Sequence, residues 1–145
     1  MERLSAFRRG ELYLLHDVVI RLDRVAQELL KPIGLTYGDF LVLLQIAEQP
    51  GARHHEIATR MGLSKTSVSL RVRDLITRGW IVQQQNPENR REQLLETTPA
   101  GRDVLDRAVR VLEESAEPLF QHLGEGREVF RNALTALRRL LGGQD

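Results

Sequence analysis

The side chains best suited to meeting a polyanion fall in two places. One run holds Ser64, Lys65, Thr66, Ser67, Ser69, Leu70, Arg73 and Thr77, and a second holds Arg90 and Arg91. Base edges in the DNA major groove are read by short hydroxyls, by cationic donors, and by an apolar group set on a thymine methyl. Thr66, Ser67, Arg73 and Leu70 supply those groups, while Ser64 and Lys65 stand where a helix start meets phosphate. A narrow minor groove attracts an inserted arginine, which is the chemistry that Arg90 and Arg91 offer. The charge distribution agrees. Nine basic and five acidic residues between positions 51 and 102 leave +4 there, and the other 12 basic and 15 acidic residues leave −3 on the flanks. Each feature alone has a plainer reading, a solvated helix face or a hairpin tip kept soluble by charge. Their joint occurrence favours DNA.

Other chemistry finds little support. There is no cysteine, which excludes disulfides, thiolate metal sites and cysteine-based redox sensing. His54 and His55 adjoin Glu56, but adjacent residues do not share a helix face, and no His-x-x-x-His accompanies them. No metal and no cofactor is expected. No P-loop, glycine-rich nucleotide turn or nucleophile elbow appears, so no catalytic residue is assigned and an enzyme is not expected. The N-terminus lacks the apolar core of a signal peptide, and the longest apolar run, Phe40 to Leu44, is too short to span a bilayer. The expectation is a cytoplasmic protein without a membrane partner.

Several elements must position these side chains. The spacing of Leu15, Val18, Val19, Leu22, Val25, Ala26 and Leu29 predicts a helix over 11–30, stopped by Lys31-Pro32. Thr36-Tyr37-Gly38-Asp39 reads as a capping box opening a second helix that ends at Pro50-Gly51. A short helix over 55–61 closes on Gly62. Ser64 caps the next, which runs to Arg78 and stops at Gly79. On it Val68, Val72, Leu75 and Ile76 share the inward face, and Thr66, Leu70, Arg73 and Thr77 lie opposite. Two helices joined by a tight turn containing glycine are a helix-turn-helix. Strands over 80–85 and 93–97 flank an Asn86-Pro87-Glu88-Asn89 turn and form a wing. Thr98-Pro99 starts a long helix as N-cap and first-turn proline, and Pro118 is expected to kink or break it. A last helix covers 126–141, with Phe130, Leu134, Leu137 and Leu141 on one face. The predicted class is mainly α with a small β-hairpin wing (α+β).

The stretches HHEIATRMGLSKTSVSLRVRDLITRGWI and NPENRREQLLETTPAG resemble the MarR family (multiple antibiotic resistance regulators) of winged helix-turn-helix proteins, and the resemblance covers nearly the whole chain. Some positions depart from the family pattern. Leu70 stands where arginine is usual, Arg73-Asp74 reverses an Asp-Arg pair, and Gln84 replaces a basic residue. In the wing, Asn89 replaces an aspartate while Arg91 keeps the arginine. The resemblance implies a homodimer with interlocked terminal helices, a palindromic double-stranded DNA operator and, often, a small-molecule effector between the dimerisation helices and the winged region. His16, Tyr37 and Phe40 are the residues set for such a pocket, though each also suits a core or capping role.

Dimerisation is expected on physical grounds too, because the long apolar-faced terminal helices carry more apolar stripe than one small winged domain can cover. The expected organisation is a helical dimerisation region at 1–35 and 99–145 around a winged helix-turn-helix at 36–98. The expected function is that of a ligand-responsive homodimeric repressor. The competing reading is a winged-helix module for protein–protein assembly, with DNA binding weak or lost.

Overall fold

The computed structural model describes residues 1–143; Gln144 and Asp145, the end of the expected C-terminal region, lie outside them. The helices are α1 (Glu2–Arg9), α2 (Glu11–Leu30), α3 (Tyr37–Glu48), α4 (His54–Met61), α5 (Lys65–Thr77), α6 (Pro99–Gln121) and α7 (Gly126–Leu140), with a short 3-10 turn at Lys31–Ile33 after α2. Between α5 and α6, β1 (Ile81–Gln85) and β2 (Gln93–Thr97) pair antiparallel, Ile81 opposite Thr97 and Gln85 opposite Gln93. The class is therefore mainly helical with a two-stranded hairpin, as the sequence predicts. Helix α1 is additional to the predicted set.

The chain divides into two compact units, one from Met1 to Val109 and a second beginning at Arg110. The first unit is built around Leu30, Leu35, Leu43, Ile46, Ile57, Val68, Leu75, Ile81 and Leu95, all essentially inaccessible to water. Burying each such side chain contributes about 1.5–3 kcal/mol. Helix α6 enters this core with Val104, Leu105 and Ala108. Its start is locked onto the end of α5. The Thr98 hydroxyl donates to Gly79 O at 2.7 Å and accepts from Gly101 N at 3.0 Å, and Thr98 N donates to Trp80 O at 3.0 Å. A Cβ on Gly101 would overlap the Trp80 carbonyl oxygen, so only glycine admits this approach.

In the second unit, Arg127 grips Glu117 through two hydrogen bonds of 2.7 and 2.8 Å across the turn from α6 to α7. Its guanidinium lies 5.7 Å from the centre of the Phe120 ring. Of the kink or break expected at Pro118 the break does not occur, and α6 runs on to Gln121. The carbonyl of Glu114, deprived of its usual partner, belongs to an exposed residue, so water can satisfy it and the missing bond is insufficient to stop the helix. No residue of α7 is buried. Among the described residues no single helix is long and apolar enough to cross a membrane.

Candidate nucleic-acid interface

The helix pair α4–α5 is set by its turn. Gly62 adopts φ 61°, the left-handed conformation that glycine tolerates best, and Leu63 N then donates to Ala58 O at 3.0 Å. Ser64 Oγ accepts from Ser67 N at 3.1 Å, capping α5 as the sequence predicts. At the start of α4, Glu56 reaches back to accept Arg53 N at 2.8 Å.

Val68, Val72 and Leu75 bury one face of α5, while Thr66, Leu70, Arg73 and Thr77 lie exposed, Leu70 at 57%. Ile76 departs from expectation. It is 36% exposed, because Leu75 takes the inward position on that turn. The remaining predicted contacts are less uniform. Lys65 is exposed, Ser69 is half-buried, and half-buried Ser67 receives the Ser64 hydroxyl proton at 3.0 Å. Thr77 donates its hydroxyl to Arg73 O at 2.9 Å, leaving its oxygen lone pairs outward as acceptors.

The wing is stiffer than a two-stranded hairpin alone. Ala52 adds a third segment, with Leu95 N donating to Ala52 O and Gly51 N to Leu95 O, both at 3.0 Å. Arg53 Nε binds the Glu92 carboxylate at 3.1 Å, and Asn86 donates to the same carboxylate at 3.0 Å. Asn89 accepts from Arg91 N at 3.2 Å, so it shapes the tip instead of offering a charge. Arg90 and Arg91 project there, exposed.

A division among the cations emerges. Between residues 51 and 102, Arg53, Arg71 and Arg78 are paired with carboxylates, whereas Arg60, Lys65, Arg73, Arg90, Arg91 and Arg102 have no ion-pair partner among the described residues. The sequence reading singled out four of these six; Arg60 and Arg102 carried no motif signal, and only their lack of partners marks them.

The three residues expected at an effector pocket are not brought together within one chain. Tyr37 and Phe40 stack with ring centres 5.9 Å apart, Phe40 within the core. Burial pushes the Tyr37 hydroxyl pKa up, with a smaller contribution from Asp23. His16 is exposed on α2, eleven residues before Gln27, whose side chain accepts Tyr37 N at 3.0 Å. That separation is about 16 Å of helix rise. His54, at the start of α4, is held below the ordinary imidazole value by burial. Among the described residues no three His, Asp or Glu side chains cluster as metal ligands do.

The sequence profile of the MarR family matches residues 35–93, a span holding α3, α4, α5 and most of the hairpin. That match covers the helix-turn-helix and most of the wing, 59 of the 145 residues. It is 27% identical over 138 residues to a putative transcriptional regulatory protein for the hcr operon of Thauera aromatica, covering 94% of this chain and 81% of that protein. A crystal structure of MarR superposes with a TM-score of 0.82 at 29% identity, over 92% of each chain. The transcriptional repressor CouR, bound to a 23-mer DNA duplex, superposes with a TM-score of 0.82 at 27% identity, over 93% of this chain and 94% of CouR. The proteins that the chain resembles are named as transcriptional regulators.

Proposed function

We propose that the chain is a cytoplasmic homodimeric repressor that reads a palindromic operator and releases it on binding a small-molecule effector. The observation that carries the DNA-reading part is the division of the cations. Arg73 on α5 and the Arg90-Arg91 pair on the wing are exposed and unanswered by any carboxylate among the described residues, on the two elements that a winged helix presents to a duplex. Thr66, Ser67, Leu70 and Arg73 contact bases in the major groove, Ser64, Lys65, Ser69 and Thr77 contact the backbone or base edges, and Arg90 and Arg91 enter the minor groove. CouR, a repressor held on a duplex with the same fold, supports both the sign and the partner.

Residues 1–35 and 99–145 form the dimerisation region, which sets the two recognition helices about 34 Å apart, one turn of DNA. Tyr37, Phe40 and His16 line the effector site, and a ligand response that survives alanine at all three removes that assignment. In vitro selection of duplex sites with the purified chain tests the whole reading. The expected result is a palindrome bound with affinity that falls steeply with salt. Binding without sequence preference above the non-specific level would return the assembly-module reading.

A further inference from the structure

Arg71 on α5 and Arg78, which caps its C-terminus, point away from the DNA-reading set. Arg71 donates from NH1 to Asp39 Oδ1 at 2.8 Å and to Thr36 Oγ1 at 3.4 Å. Its guanidinium occupies the space where a Cβ on Gly38 would lie. The Asp39 side chain is only 9% exposed and that of Arg71 is 37% exposed, so the carboxylate is withdrawn from water while the guanidinium that answers it is half-buried. Seven residues on, two helical turns along the same side, Arg78 donates to Gly34 O, pairs with Asp74 at 2.9 Å and stacks 5.0 Å from the Trp80 ring centre. Gly34 and Thr36 belong to the elbow between α2 and α3, and Asp39 stands in the first turn of α3 directly after it. The elbow is itself tied to α2, because Tyr37 N donates to Gln27 and Leu35 N donates to Leu30 O at 3.3 Å.

We infer that Arg71 and Arg78 are positioning residues: they clamp the recognition helix at two points to the α2–α3 elbow and thereby set the angle at which α5 is presented to DNA. The inference rests on the DNA-reading function proposed above. One cation lies on the recognition helix and the other caps its end, where counting charge alone would assign both to phosphates. Their hydrogen bonds to Asp39, Thr36 and Gly34 direct them to the protein instead. Since α2 carries the expected dimer surface, the clamp also links the recognition helix to the element that fixes the distance between two such helices.

Gly38→Ala provides a clean test, because it takes the guanidinium's place while leaving every charge in the chain; Arg71→Gln removes the charge. A third variant, Arg71→Gln with Asp39→Asn, replaces the ion pair by a neutral hydrogen-bonded pair and covers the case in which the buried Asp39 carboxylate, left alone, unfolds the chain. Fluorescence anisotropy with the selected site across a salt series measures affinity, and selection with variable spacing between half-sites measures geometry. The clamp predicts that Gly38→Ala and Arg71→Gln each lose about tenfold on the selected site, as if one base contact were lost. It also predicts an unchanged salt slope, unchanged non-specific binding and a broader set of accepted spacings, with the double variant partly restored. A lower salt slope and weaker non-specific binding in Arg71→Gln, with Gly38→Ala like the wild type, would make Arg71 a phosphate contact and overturn the inference. Wild-type spacing in all variants would overturn it as well. A wild-type chain that selects no site would overturn the DNA-reading proposal and the clamp with it, whereas a selected site with indifferent variants overturns the clamp alone.

Discussion

At the scale of single residues, the environment of a side chain matters more than its type. Gly101 has an ordinary place in a helix, yet it is where the first turn of α6 touches the Trp80 carbonyl. Gly101→Ala should therefore lower stability by about 2 kcal/mol or more, as overpacking against rigid backbone does. Urea unfolding reads this as a lower midpoint at unchanged slope, and an unmoved midpoint would contradict the close approach. His54 shows the same dependence on surroundings. Burial holds its pKa below the ordinary value, so the unfolded chain takes up the proton first as pH falls. Its contribution to stability is complete above about pH 6.5 and is lost as pH falls through the depressed folded value. His54→Gln should flatten this part of the stability profile, measured by thermal unfolding at several pH values.

At the scale of elements, the hairpin and α5 are each pinned by contacts that local sequence hides. The wing is held by Ala52 along one edge and by Arg53 and Asn86 through the Glu92 carboxylate. Its base is thus fixed while its tip carries two unpaired arginines. Replacing Arg90 and Arg91 together by alanine should lower the slope of log affinity against log salt by roughly one for each arginine. Anisotropy across a salt series checks this, and an unchanged slope would place the wing off the DNA. The caps were open to reading in advance. Ser64, Thr36 and Thr98 all accept the backbone N–H expected of an N-cap, because that bond needs only a residue three positions on. Asp39 was legible as a first-turn acid, but its use as the Arg71 partner was not.

For the whole molecule, the apolar surface left open is the dominant feature. On α2, Leu15, Val18, Val19, Leu22 and Val25 are exposed, and so are Phe130, Leu134 and Leu137 on α7 and Leu141 just after it. These are the residues whose helical spacing predicted buried faces, and one copy of the chain leaves them in water. A second copy burying them is the proposed explanation. Leu134→Asp with Leu137→Asp should shift the sedimenting species from dimer to monomer and weaken binding to a palindrome far more than to a half-site. A wild-type chain that sediments as a folded monomer at micromolar concentration would overturn the dimer.

The sequence by itself determined the succession of elements from α2 onward, their caps and turns, and the outward face of α5, but not α1. Those depend on interactions within three or four residues and on periodicity, which a linear reading samples directly. The break allowed for at Pro118 does not occur, because a single missing hydrogen bond is too small to end α6. Only the tertiary structure decided which cations are free. Arg71, Arg73 and Arg78 look alike along the chain; Asp74, four residues before Arg78, is a local partner, but Asp39 and the Gly34 carbonyl, which Arg71 and Arg78 also bind, lie 32 and 44 residues away where folding brings them against α5. Pair formation across such distances depends on how helices pack, and no local pattern encodes it. For that reason the winged helix-turn-helix was visible from the outset, while the division of its arginines between holding the helix and remaining open to DNA was not.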